Sequence, residues 1–178
     1  MENKTKVFET DRLILRKLEL ADAEDMFKNY CGSETVTKYL SWNAHKSLED
    51  TKQYLEKFAL PRYNDNPYIW AIVLKETNEV IGCIDVVKID LTKKSVELGW
   101  VLSEKYWGQG LMPEAGMPIK DYLFEEGFVR IWARHNIANK KSGRVMQKIG
   151  MIYEGTQRKA DLDNQGNFID LDIYAITK

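Results

Sequence analysis

The pattern of apolar and polar positions changes period several times along the chain, and each change marks an element. Val7 to Leu18 opens with a strand. Behind Asp22, a candidate helix cap, Ala23, Met26, Phe27 and Tyr30 recur at helical spacing until Gly32-Ser33 breaks the run. Val36, Tyr39, Leu40 and Trp42 form a short apolar segment. Ser47-Leu-Glu-Asp50 has the form of a cap, and Leu48, Thr51, Tyr54, Leu55 and Phe58 supply one helix face after it. Pro61 to Pro67 is rich in Asn, Asp and Pro and reads as a loop.

Next comes a meander. Tyr68 to Leu74 is a buried type of strand, Glu76 to Glu79 turns it back into Val80 to Ile89, and Leu91 to Lys94 leads into the strand Glu97 to Leu102. A helix follows Pro113 with Ile119, Tyr122, Leu123 and Phe124. Gly116 and Pro118 are poor helix residues within it, and Pro118 kinks the helix unless it falls in the first turn. Phe128 to Arg134 is a strand, Ala138 to Ile149 a helix ended by Gly150, and Met151 to Arg158 with Phe168 to Thr177 a closing hairpin. No repeat, low-complexity run or composition shift divides the chain, so residues 1–178 are expected to form a single mixed α/β domain.

The stretch Glu97 to Ala115 joins a strand to a helix through Gly108-Gln109-Gly110. Glycines let the backbone approach a ligand and aim successive N–H groups at one point. Pro113 suits a first helical turn, Glu114 favours the positive end of the helix dipole, and a helix N-terminus behind such a turn is a phosphate site. A bare Gly-x-Gly also serves as an ordinary strand-to-helix turn. Position 113 is Pro, which excludes the Gly-x-Gly-x-x-Gly dinucleotide fingerprint, and no Gly-Lys-Ser/Thr follows to make a Walker A loop.

Composition narrows the function classes. Lys plus Arg number 26 and Asp plus Glu 27, so the balanced charge gives no electrostatic reason to expect nucleic acid or a membrane surface as partner. The N-terminal stretch is polar and no apolar run approaches a membrane span, which makes the cytoplasm the default location. Cys31 and Cys83 lack metal-type spacing and His45 and His135 are the only histidines, so no metal site is expected and free thiols fit better.

The run Lys105-Tyr-Trp-Gly108-Gln-Gly110 resembles motif A of the GCN5-related N-acetyltransferases (GNATs), Arg/Gln-x-x-Gly-x-Gly/Ala, with Lys departing at the first place. Thr10-Asp-Arg-Leu-Ile-Leu-Arg16, Glu97-Leu-Gly-Trp, Tyr106-Trp-Gly-Gln-Gly and Pro113-Glu-Ala resemble its RimJ/RimL-type branch of ribosomal-protein N-acetyltransferases. The element order β-α-α-β-β-β-α-β-α-β-β matches that fold over nearly the whole chain. The resemblance implies a mixed, mostly antiparallel central sheet with helices on both faces. It also implies acetyl-CoA as co-substrate, without a metal, and direct transfer to a primary amine in a ternary complex; a homodimer is common in the family.

The resemblance also implies roles. Trp100, Val101, Leu102, Lys105, Trp107, Gly108, Gln109, Gly110, Leu111 and Met112 would line the acetyl-CoA site, with a backbone N–H near Val101 holding the thioester oxygen where this strand splays from the next. Asn139, in Asn139-x-x-Ser142…Lys148-x-Gly150-Met151, would meet the pantetheine arm, although an Asn there also serves as a helix cap. Where many relatives carry a Tyr that protonates the leaving thiolate, this chain has Met146. Ser142, one turn earlier, either stabilises that sulfur or only packs. Glu97 is the candidate general base, acting through a water, with a salt-bridged strand Glu as the alternative and His135 as the runner-up base. Trp42, Trp70, Glu97, His135 and Tyr153 are the candidate acceptor-site residues. The acceptor is a protein N-terminal amine or a small amine, and fold-level analogy does not choose between them. The competing class is an acyl-CoA-binding sensor module without catalysis.

Overall fold

The computed structural model describes residues 5–178; the first four residues of the polar N-terminal stretch lie outside them. The chain runs β1 (Phe8–Glu9), β2 (Leu13–Arg16), α1 (Ala23–Met26), α2 (Glu34–Thr37), α3 (Leu48–Tyr54), β3 (Ile69–Leu74), β4 (Glu79–Asp90), β5 (Ser95–Leu102), α4 (Leu111–Glu125), β6 (Arg130–Asn136), α5 (Lys140–Lys148), β7 (Ile152–Leu162) and β8 (Phe168–Thr177). The strands form one sheet in the order β1-β2-β3-β4-β5-β6-β8-β7. Only the pairing of β5 with β6 is parallel.

Strand alternation sends side chains to two separate cores. Leu13, Leu15, Trp70, Ile72, Ile84, Val86, Leu98 and Ile131 face α4 and α5. Ile69, Ala71, Val73 and Val80 face the layer built by α1 to α3, where Met26, Tyr30 and Leu55 meet them. The sheet with helices on both faces is the architecture the sequence led us to expect.

Local details differ from the sequence expectation for identifiable reasons. The first strand divides at Thr10, whose N–H donates to Leu13 O at 2.9 Å and makes a hairpin turn. α1 and α3 each end in a π-helical turn, Phe27–Cys31 and Leu55–Ala59, closed by Gly32 N–H to Phe27 O and Leu60 N–H to Leu55 O. The Ser47 cap is present: Ser47 Oγ accepts from Asp50 N–H while the Asp50 carboxylate accepts from Ser47 N–H. α4 begins at Leu111, so Pro113 does fall in the first turn, but Pro118 lies in the helix interior. A Cβ on buried Gly116 would stand 3.1 Å from Ile149 Cγ2, so this glycine lets α4 and α5 pack closely.

Candidate active site

β5 and β6 pair only from Ser95↔Arg130 to Glu97↔Trp132. Beyond that point β5 continues along β4 to Leu102 and β6 continues along β8 to Asn136, so their facing edges part. The splay expected beside Trp100 to Leu102 is therefore present, starting just after Glu97. Ser103 N–H donates to Ile81 O at 2.8 Å. By antiparallel alternation Val101 and Gly99 also direct their N–H groups to β4, and Trp100 and Leu102 direct theirs into the opening. The donor expected near Val101 is thus that of a neighbour. Leu102 O, on the open side, accepts from Trp107 Nε1 at 2.8 Å.

The glycine turn closes one end of this opening. Gly108 and Gly110 have φ of 79° and 80°, values that Gly adopts without steric cost. A Cβ at Gly108 would meet nothing within 4 Å, so the turn presents bare backbone to open space. Gly110 precedes the first residue of α4 and offers no side-chain cap, leaving first-turn N–H groups for an anion. The side chains of Leu111 and Met112 are buried, so only their backbone can serve a ligand. Gln109 braces the turn by donating from Nε2 to Lys105 O at 3.0 Å. On the opposite wall Asn139 precedes α5 without a side-chain capping bond, which leaves its amide uncommitted, and Ser142 lies in the first turn of the helix. Lys141 Nζ stands 4.1 Å from the Trp107 ring centroid and links the two walls. Splayed edges, bare glycine turn and open helix start fit an extended ligand with a phosphate end.

The other face of the sheet carries the acidic chemistry. Glu97 is buried, and its Oε1 accepts from Arg134 Nε at 2.8 Å; Arg134 also reaches Asp161 Oδ2 at 3.1 Å. Glu97 Oε2 takes none of the hydrogen bonds found among the described residues. Arg134 and Trp132 line a recess of about 500 Å³ together with Glu154 and Thr156. Trp42 packs partly buried against the α1–α3 core, with its ring 5.7 Å from that of His45. The tip of the β7–β8 hairpin bridges to that layer, Asn164 Nδ2 donating to Thr37 O at 3.3 Å.

Strand parity removes three of the expected acceptor residues from this face. Trp70 is fully buried under α4, its indole Nε1 donating to Lys6 O at 2.7 Å. His135 alternates with Arg134 and so turns toward α5, where a Cβ on Gly143 would stand 2.6 Å from its Nε2. Its Nδ1 is bonded to Asn136 O at 2.7 Å, and buried Nε2 makes no hydrogen bond but stands 4.0 Å from Asp172 Oδ2. Tyr153 stacks edge-on against Tyr174, which belongs to the α4–α5 core. His135 is thus separated by the sheet from Glu97.

Some contacts at the site carried no sequence signal. Arg12, in the β1–β2 turn, donates to Gln109 O at 3.1 Å and forks onto Glu114. Asp85 pairs with Arg62 Nη2 at 2.8 Å on the face of the sheet that carries Glu97. Both contacts join residues distant in sequence. Cys31 is buried and Cys83 half-buried, both as free thiols; burial pushes the Cys31 thiol up to about 12.

The fold and the glycine turn on the splayed strands define an acetyltransferase architecture, and comparison with known proteins agrees. The acetyltransferase (GNAT) domain family matches residues 12–152, and the chain belongs to that family. It is 30% identical over 173 residues, 97% of each chain, to the N-acetyltransferase YoaA of Bacillus subtilis. It is 24% identical over 153 residues, 84% of each chain, to the ribosomal-protein-serine acetyltransferase of Escherichia coli. The solved structure of a GNAT-family acetyltransferase from Bacillus anthracis superposes with a TM-score of 0.83 at 29% identity, covering 97% of this chain and 98% of the other. The protein is an acetyltransferase of the GNAT family, and its relatives include a ribosomal-protein acetyltransferase.

Proposed function

We propose that the protein transfers the acetyl group of acetyl-CoA directly to a primary amine in a ternary complex. The observation that carries this reading is the opening after Glu97, which has free strand N–H groups on one edge and the Gly108–Gly110 turn at its end. Pantetheine amides pair with the strand edge and Asn139, and the pyrophosphate rests on the glycine turn and the start of α4. The thioester oxygen accepts from Trp100 or Leu102 N–H, so charge developing there meets a fixed donor. The ammonium proton leaves through a water to Glu97 Oε2, the nitrogen attacks the carbonyl carbon, and as the C–S bond breaks beside Ser142 the second nitrogen proton passes to the leaving thiolate, giving the amide and CoA thiol.

The acceptor is an N-terminal amine of a protein or a small amine. The Escherichia coli relative, a ribosomal-protein-serine acetyltransferase, supports the first. No helix among the described residues is long and apolar enough to cross a membrane, which suits a cytoplasmic acceptor. The test is calorimetric titration of acetyl-CoA, followed by an amine panel read as released CoA thiol. We expect Gly110→Trp to abolish binding. Glu97→Gln is expected to keep binding and to lose roughly 100-fold in kcat, the scale of general base catalysis. Binding without thiol release from any amine supports the sensor module instead. No binding by the parent protein removes the proposal.

A further inference from the structure

Glu97 is only one of two carboxylates on the floor beside the opening. On this face β4 presents Cys83 and Asp85, and β5 presents Gly99 and Val101 at their paired positions. All four are partly exposed, whereas Gly82, Ile84, Val86 and Leu98 beside them are buried. Gly99 has no side chain to cover the floor. A Cβ built there would meet Val87 Cγ1 at 2.9 Å and Asp85 Oδ1 at 3.4 Å. Val87 reaches this position through the bulge that shifts the β4–β5 register between Val86 and Lys88. Asp85 Oδ2 is held by Arg62 at 2.8 Å, while Oδ1 takes none of the hydrogen bonds found among the described residues. Glu97, two residues from Gly99 on the same face, repeats the arrangement, with one oxygen on an arginine and one free.

We propose that Asp85 Oδ1 binds the ammonium group of the acceptor, holding a cationic primary amine over Gly99. The site rests on the reading of the β5–β6 opening as the acetyl-CoA cleft. An amine approaching a thioester seated in that opening arrives over the Gly99–Val101 edge of β5, and Asp85 is the carboxylate whose free oxygen already overlies Gly99. Arg62 fixes the carboxylate without consuming both oxygens, so the acceptor gains a charge-assisted bond at small reorganisation cost. Beside the site, the buried Tyr30 hydroxyl in the α1–α3 layer also lacks a partner.

Charged and titratable groups around Asp85 come from every adjacent element. They include Arg62 and Tyr63 after α3, Tyr54 on α3, Cys83 on its own strand and Glu97 on β5. Burial raises the Asp85 carboxyl above the ordinary aspartate range, and Arg62 pulls it partly back. Protonation of Asp85 on lowering the pH removes the negative charge that holds the ammonium.

The test is steady-state kinetics with glycinamide at saturating acetyl-CoA, beside acetyl-CoA calorimetry on each variant. Asp85→Asn is expected to raise the glycinamide KM roughly 10- to 100-fold, the worth of one hydrogen bond to a charged group. Its acetyl-CoA affinity stays within about twofold of the parent, a scatter well below one such bond. Arg62→Met is expected to move the acid limb of kcat/KM to higher pH, because the group that lowers the Asp85 carboxyl is gone; a purely structural role for Asp85 leaves that limb in place. Gly99→Ala fills the floor and raises the glycinamide KM, again without touching acetyl-CoA. An unchanged glycinamide KM in Asp85→Asn overturns the inference, as does a parent enzyme that acetylates other amines but not glycinamide. Loss of acetyl-CoA binding by the parent protein overturns the proposed function itself.

Discussion

Glu114 shows how a single side chain ties the cofactor turn to the opposite end of the chain. Its Oε1 accepts from Thr10 Oγ1 at 2.5 Å and Arg12 N–H at 2.9 Å, and its Oε2 accepts from Arg12 Nε at 2.7 Å. Burial pushes the carboxyl up, but these donors outweigh it and hold the group below its ordinary value of 4.5. A carboxyl lowered by folding stabilises the native state at pH above that ordinary value, and the gain is lost as pH falls through the folded value. Glu114→Gln is therefore expected to cost about 1 kcal/mol at pH 7, discounted for the exposed Arg12 partner, and nothing in strong acid. Urea titrations at pH 7 and pH 3 check this; an equal loss at both would refute the charge argument. From sequence, Glu114 is a helix-dipole residue within the family-like run Pro113-Glu-Ala. The sequence distance to Arg12 hides the contact that matters.

At the scale of an element, α4 has to do two jobs that conflict. In the proposed function its start must stay open for an anion, while its body packs between sheet and α5. Pro118, at an interior position, has no N–H for the carbonyl of Glu114 four residues earlier. Pro118→Ala is expected to raise stability by about 2 kcal/mol, the interior proline penalty less the entropy that proline removes from the unfolded chain. For a chain of this length that is roughly 4–8 °C in Tm, measured by thermal scanning. An unchanged or lower Tm would mean that the helix bend is needed for packing around Gly116. The start of α4 was readable because Gly110 and Pro113 are strong local signals. The fate of Pro118 was not, because whether a proline is tolerated depends on the bend its neighbours accept.

For the molecule as a whole, the opening between β5 and β6 leaves backbone donors and acceptors unpaired along both facing edges. A ligand that binds only the folded state adds RT ln(1 + [L]/Kd) to its stability. Acetyl-CoA at 100 times its Kd should then contribute about 2.7 kcal/mol. That corresponds to a Tm increase of roughly 5–11 °C. The shift should vanish in Gly110→Trp, whose bulky side chain occupies a backbone site with φ of 80°. CoA and acetyl-CoA should shift Tm alike, because most of the contact is with the pantetheine and phosphates, whereas adenine alone should not.

By itself the sequence determined the succession of strands and helices, the glycine turn and the residues that resemble the family, since all of these are written in local periodicity and short spacing. Glu97, Gly108, Gly110, Asn139 and Ser142 were legible for that reason. Tertiary structure decided which face each strand residue joins. Trp70, His135 and Tyr153 had chemistry suited to the acceptor site, but alternation turns them toward α4 and α5. A period of two makes neighbours in sequence occupants of opposite layers, and only the packed layers establish which parity joins α4 and α5. The same packing pairs Glu97 with Arg134 and brings Asp85 over Gly99 from another strand. Such contacts depend on register and bulges between strands, which no window of the sequence contains.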